Sequence, residues 1–223
     1  MSIRLLPLFP LPLVLFPRAP LPLHIFEPRY RSLLADCLNR DRRFGIIYRS
    51  DDIDEREIPA GTVGCVAHID TAQQLPDGRS NILVTGMERF TLERFVADPA
   101  PYHMGEVASV ADDSEPELLL APLAERLREL FRRVGQSART IADDAAPLPD
   151  LPDDTALLSF AVAQYIDLEV PVKQELLSSR SPSERLRHLV RLLSGIVENV
   201  EARASVHTQA RSNGHGPEGA KAS

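Results

Sequence analysis

Two hydrophobic periods divide this chain. Up to about residue 110 the apolar residues come in short runs or alternate with polar ones, the spacing of half-buried strands. From about Glu115 they recur every three or four positions, the spacing of amphipathic helices. The first stretch, residues 4–26, is apolar and proline-rich. Proline has no N–H to give a ladder and is excluded from the middle of a sheet. This stretch is therefore expected as short extended pieces with prolines at edges and corners. Val14-Leu15-Phe16 and Leu21-Leu23-Ile25 are the expected strand cores.

Pro28 fits the first turn of a helix. Tyr30, Leu33, Leu34, Cys37 and Leu38 then fall on one helical face, and the pattern ends near Asn39. Phe44 to Tyr48 reads as a strand. So does Thr62 to Ile69, with Val63, Cys65, Ala67 and Ile69 on one face. Pro76-Asp77-Gly78 supplies turn chemistry. Asn81 to Thr85 and Phe90 to Phe95 read as two strand pieces broken at Gly86, a position for a bulge or tight turn. Tyr102 to Val110 completes the set. Short strands between turn signals predict an antiparallel barrel or sandwich.

In the second region Leu119, Leu123, Leu127, Leu130, Phe131 and Val134 predict one helix. A loop at 142–152 separates it from a second, capped by Asp153 or Asp154 and carrying Leu157, Ala161 and Tyr165. Val172–Leu177 follows Pro171 as a third. The fourth opens with Ser181-Pro182-Ser183-Glu184, a capping box with proline at the first helical position. Leu186, Leu189, Val190, Leu193, Val197 and Val200 form its stripe. The expected organisation is a β-rich domain over 1–112, a helical bundle over 113–204 and a disordered tail over 205–223.

Charge narrows the partners. The formal net charge is -7, and residues 111–154 hold eleven acidic side chains against five arginines. Phosphate-backbone binding runs on excess Lys and Arg, so nucleic acid and anionic membrane are disfavoured. The two cysteines, Cys37 and Cys65, read as reduced core residues. Prolines at 7, 10, 12 and 17 interrupt any signal-peptide helix, and no apolar run reaches the roughly 18 residues a membrane span needs. The expected location is the cytoplasm.

Catalytic motifs are missing. There is no Gly-Lys pair for a P-loop, no G-x-G-x-x-G and no G-x-S-x-G elbow. Lys173 reads as a solvated lysine. Cys65 and His68 lie three apart on a strand and point to opposite faces, which rules against a shared metal; His24 and Cys37 lie elsewhere. Arg40, Arg42, Arg43 and Arg49 are interspersed with Asp41, Asp51 and Asp52, as on an ordinary surface. No catalytic, cofactor-binding or metal-ligating residue is expected. In His24-Ile25-Phe26-Glu27-Pro28-Arg29-Tyr30, the Glu27 carboxylate is placed to interact with the first turn of the helix.

One resemblance ties these pieces together. Leu6-Pro7-Leu8-Phe9-Pro10-Leu11, Val14-Leu15-Phe16-Pro17 and Leu21-Pro22-Leu23-His24-Ile25-Phe26-Glu27-Pro28-Arg29-Tyr30 closely resemble the start of the Lon protease N-terminal (substrate-binding) domain. Phe44-Gly45-Ile46, Gly61-Thr62-Val63-Gly64, Asp77-Gly78-Arg79, Val84-Thr85-Gly86 and Arg89-Phe90 follow in the same order. Lys173-Gln174-Glu175-Leu176-Leu177 and Glu184-Arg185-Leu186 extend it into the helices. It covers about residues 4–202. It implies an α+β fold, a PUA-like antiparallel β pseudobarrel with one helix followed by a helical bundle.

The ATPase and Ser–Lys peptidase modules of Lon proteases are not recognisable in these 223 residues, so a stand-alone, non-catalytic member is expected. The implied partners are unfolded or hydrophobic polypeptide segments, and a protease that would receive them. Leu11, Leu13 and Phe16 are the candidate peptide-binding residues. The alternative, RNA binding by a PUA-like fold, rests on fold analogy alone. Glu27 and Arg89, the charged residues inside the matching motifs of the first domain, are expected to meet as a partly buried pair. Glu27→Ala is then expected to destabilise by a few kcal/mol.

Overall fold

The computed structural model describes residues 3–213. Its first part orders as β1 (Ile3–Leu11), β2 (Pro20–Ile25), α1 (Pro28–Leu38), β3 (Arg43–Tyr48), a single 3-10 turn at Glu55–Glu57, β4 (Val63–Gln74), β5 (Ser80–Val96) and β6 (His103–Val110). The strands form one sheet in the order β2-β5-β4-β3-β1-β6, and β5 pairs again with β6. That second pairing closes β1, β3, β4, β5 and β6 into a barrel, with β2 on an outer edge. Every pairing is antiparallel except β1 with β3.

The prolines behave differently from expectation. β1 is one continuous strand between two neighbours, with Pro7 and Pro10 inside it. Residues 3–8 pair with β6 and residues 8–11 with β3, so only Leu8 has a partner on both sides. Each proline therefore sits where the strand has a single neighbour, and no ladder bond is lost. Val14-Leu15-Phe16 is not a strand but an irregular segment, held against β5 by Arg18 N–H to Gly86 O (2.8 Å) and Gly86 N–H to Ala19 O (2.9 Å). Gly86 is needed there, because a Cβ on it would lie 2.1 Å from the Phe16 carbonyl oxygen. The two pieces expected on either side of Gly86 are one strand, β5, which bends through a register shift opposite Cys65/Ala67.

Alternation along the strands builds two cores. Leu6, Leu8, Ile47, Val66, Phe90, Leu92 and Val107 point into the barrel. The interior is filled by Phe90, whose ring lies 2.4 Å from where a Gly64 Cβ would be. The opposite faces carry Phe44, Ile46, Val63, Cys65, Ala67 and Ile69 into a larger core shared with α1 and the helical part.

The second part is α2 (Glu117–Ile141), α3 (Thr155–Tyr165), α4 (Val170–Ser178) and α5 (Pro182–Asn213). The long α2 and α5 run side by side in the same direction. Glu115, just before α2, meets Ser181 and Ser183 at the start of α5, and Arg133 pairs with Glu201 further along. Asp154 caps α3 by accepting from the N–H groups of Ala156 and Leu157. On α2 the buried stripe is Leu120, Ala124, Leu127, Leu130 and Phe131, with Leu119 44% exposed. Leu118, Leu119 and Leu120 are all apolar, so the period alone could not choose the phase. The tail expected from Ser205 is helical up to Asn213, a correction; residues 214–223 lie outside the described residues. The stretch 205–213 holds no Gly or Pro, and Ala204 is still buried.

Candidate functional site

The expected peptide-binding residues are mostly not on the surface. Phe16 is 2% exposed, and its ring stacks 5.8 Å from that of Phe160 on α3. It plugs the junction of barrel and bundle and is unavailable to a partner. Leu11 and Leu13 are half-buried against the same core. The reason is tertiary: an apolar irregular segment beside the helices becomes part of the core that barrel and helices share.

Glu27 and Arg89 do not pair. Glu27 accepts from its near neighbour Arg29 at 3.0 Å. Arg89 reaches from β5 into the bundle. Its Nη1 donates to the Leu177 and Ser179 carbonyls (both 2.7 Å), and its Nη2 to Asp112. Asp112, on the linker after β6, also takes two bonds from Arg185 of α5 (2.7 and 2.8 Å). Arg185 additionally donates to Ser159 Oγ and to the Ser179 and Ala156 carbonyls. Both guanidinium groups lie over the Phe160 ring, at 5.3 and 4.2 Å. Burial lowers the pKa of Arg89; Asp112 opposes this and Arg185 adds to it. An arginine remains charged nonetheless. Asp112 and Phe160 escaped the sequence reading, and Arg185 entered it only within a matching motif. Arg185 carried a signal, since it stands four residues before Leu189 on the apolar stripe of α5.

A second charged cluster sits at one end of the barrel. Arg29 donates two bonds to Glu55 (2.6 and 2.8 Å), and the His103 ring lies 2.7 Å from the same carboxylate. The Tyr30 hydroxyl donates to Glu55 at 3.3 Å. Burial alone would raise the Glu55 carboxyl, but Arg29 and His103 outweigh it and hold the group below the usual carboxylate range. A recess of about 790 Å³ opens beside it, bounded by Arg49, Phe95 and Tyr102.

Other ionisable groups offer little chemistry. Cys37 and Cys65 are buried, and burial pushes both thiols up to about 12, so neither is a thiolate at neutral pH. Asp70 lies between Thr85 (2.6 Å) and His68 (3.1 Å). A nucleophile triad needs the histidine in the middle, so this order does not activate the threonine. Among the described residues no group of three His, Cys, Asp or Glu side chains is placed to hold a metal ion. Among the described residues no helix is long and apolar enough to cross a membrane.

Two recesses have mainly apolar walls. One, of about 870 Å³, lies between α2 and the loop after it, with Phe131, Leu148 and Leu151 inside and Arg132 and Arg139 at its edge. The other, about 740 Å³, runs between the outer flank of α1 and the β4–β5 hairpin, past Ala35, Leu38, Ala72 and Gln74.

Comparison with known proteins places this architecture. Over residues 5–195 the chain matches the family described as the ATP-dependent protease La (LON) substrate-binding domain. A Lon protease 2 of Herpetosiphon aurantiacus is 28% identical over 207 residues, covering 92% of this chain and 25% of that protein. A Lon protease of Xanthomonas oryzae pv. oryzae is 27% identical over 197 residues, 86% of this chain and 23% of its own length. The chain thus spans about a quarter of the relatives it matches. A solved Lon N-terminal domain protein from Xanthomonas campestris superposes with a TM-score of 0.62 at 26% identity, over 84% of this chain and 98% of that one. The N-terminal domain of a Mycobacterium avium complex Lon protease gives 0.64 at 20% identity over 86% and 98%, a likeness of fold. On the family match over residues 5–195 and the shared fold, this chain belongs to the ATP-dependent protease La (LON) substrate-binding domain family.

Proposed function

We propose that this chain is a non-catalytic module that binds unfolded or hydrophobic polypeptide segments. The observation that supports it best is the division of its surface chemistry. The ionisable clusters are internally paired, whereas two of its large recesses have mainly apolar walls with charged residues among them. Apolar recesses of this kind accept side chains without demanding one sequence. The two buried, reduced cysteines fit work in the cytosol. In this reading the module serves protein quality control, and a protease of the family's own type is the partner that would receive what it holds.

The test is a titration against a panel of chemically denatured proteins and their native counterparts, followed by fluorescence anisotropy. Denatured chains are expected to bind at tens of micromolar or better. Affinity should change little between about 0.05 and 0.5 M salt, because burial of apolar surface is not screened. No binding to any denatured chain, or a steep loss with salt, would remove this reading.

A further inference from the structure

The groove beside α1 holds an unused strand edge. β4 pairs with β3 only from Gly64 to His68, and its last residues run on against β5 alone. Loop residue Arg42 covers the edge as far as Asp70, through Ile69 N–H to Arg42 O (2.9 Å) and its own side chain on the Ile69 and Asp70 carbonyls. Beyond Asp70 the edge is uncovered. The Leu75 N–H bonds to Arg79 O (2.7 Å), which places Gln73 opposite Asn81 as the preceding hydrogen-bonded pair. The N–H and C=O of Ala72 and Gln74 must then point away from β5, toward the groove.

The other side of β5 gives the same answer. Pro22 faces Leu83 in the pairing with β2 and has no N–H, so the bonded pair there is Leu23 with Ile82. Asn81 is left to bond β4. The two free edges of this three-stranded tip differ for the same reason. On β2, Pro20 and Pro22 remove two of the three outward donors, leaving only that of His24, which disfavours pairing on that edge. On β4, nothing does.

The α1 flank across the groove is suited to an added strand. Arg31, Ala35 and Leu38 stand at i, i+4 and i+7, on one face, and Leu38 is 38% exposed. The Arg31 guanidinium lies over the hairpin turn, 2.2 Å from where a Cβ on Gly78 would be. Among the described residues its side chain has no acidic partner and no hydrogen bond. An unpaired strand edge beside a helix, with a free cation at one end, is the geometry by which an extended peptide joins a sheet.

We propose that an extended segment of another polypeptide adds as a strand to the Ala72–Gln74 edge of β4, with apolar side chains against Ala35 and Leu38 and an acidic one on Arg31. This rests on the polypeptide-binding reading above and gives it a place and a mode.

The test uses the full chain and labelled peptides Asp-Ser-Val-Ser-Leu-Ser and its reversed order, read by fluorescence anisotropy, because either strand direction satisfies the edge. One order is expected to bind. N-methylation of the alternate amides that face β4 should weaken it at least about tenfold, as should Ala72→Pro, since hydrogen bonds to the edge are lost. Arg31→Glu should shift the preference from the Asp peptide to its Lys analogue. Equal binding of the N-methylated peptide, or unchanged affinity in both variants, overturns the proposal without any question of folding, since the first uses the unaltered protein. If denatured proteins bind but neither peptide does, this site falls and the polypeptide-binding reading stands; if nothing binds, both fall. A concentration-dependent dimer that Ala72→Pro abolishes would give the edge to a second copy and overturn the proposal as well.

Discussion

The molecule contains two arginine–carboxylate clusters that differ in water more than in chemistry. At the junction of barrel and helices, Arg89 and Arg185 are 4% and 1% exposed and share Asp112, 23% exposed by its side chain, so the contrast lies in the arginines. At the barrel end, Arg29 is 33% exposed by its side chain, with Glu55 at 17% and Glu27 at 40%. The junction cluster ties the barrel to the helices, because its arginines also hold carbonyls of α3, of α4 and of the α4–α5 connection. The barrel-end cluster joins a turn, a helix start and β6 within the barrel part. Dry charges cannot be released cheaply, so removing one partner leaves the others stranded. Half-wet charges fall back on solvent.

The largest effect is therefore expected at the junction. Asp112→Ala should lower the unfolding free energy by about 3–5 kcal/mol, because it leaves two buried guanidinium groups without a counter-charge. Urea denaturation followed by far-ultraviolet circular dichroism measures it. A loss below about 1 kcal/mol would show the junction to be as wet as the barrel end.

Glu55→Gln should cost about 1–3 kcal/mol, the loss of charge-assisted bonds from Arg29 and His103. The same residue gives a pH signature. Its folded pKa is depressed, so its contribution is fully present above the unfolded value near 4.3 and is lost as pH falls through the folded value below that. The stability gap between the wild-type chain and Glu55→Gln should be fully developed at about pH 5 and shrink below about pH 4. A gap that stays constant into acid would mean that Arg29 and His103 do not hold the carboxylate.

The smallest effect is expected for Glu27→Ala, below about 1 kcal/mol. Arg29 keeps both of its bonds to Glu55 when Glu27 is gone. This replaces the larger loss that pairing with Arg89 would have produced. A change of several kcal/mol in the same denaturation assay would reopen a role for Glu27 beyond its surface contact.

Local patterns were legible where one face alone decided burial. Val63, Cys65, Ala67 and Ile69 alternate and share one core, and Tyr30, Leu33, Leu34 and Cys37 share the buried side of α1. Where neighbours decided, the pattern failed. The prolines of β1 were compatible with a continuous strand only because its partners change sides at Leu8. Leu119 and Leu120 exchanged roles because α5 chose the phase of α2. Phe16, a candidate for peptide binding, became the plug between barrel and helices. The groove on β4 was invisible, because an unpaired edge exists only once the ends of β3 and β5 are known.

The amino-acid order by itself determined the two hydrophobic periods, the helix that starts at Pro28, the missing catalytic motifs and the family resemblance. These are short-range properties, set by side-chain spacing and backbone chemistry. Only the tertiary structure decided which charges meet. Glu27 found Arg29 two residues away, while Arg89 crossed to Asp112 and to a bundle nearly ninety residues further on. The reason is burial: a guanidinium entering a dry junction must take whatever carboxylate and carbonyls the fold presents there, and sequence spacing carries no record of that choice.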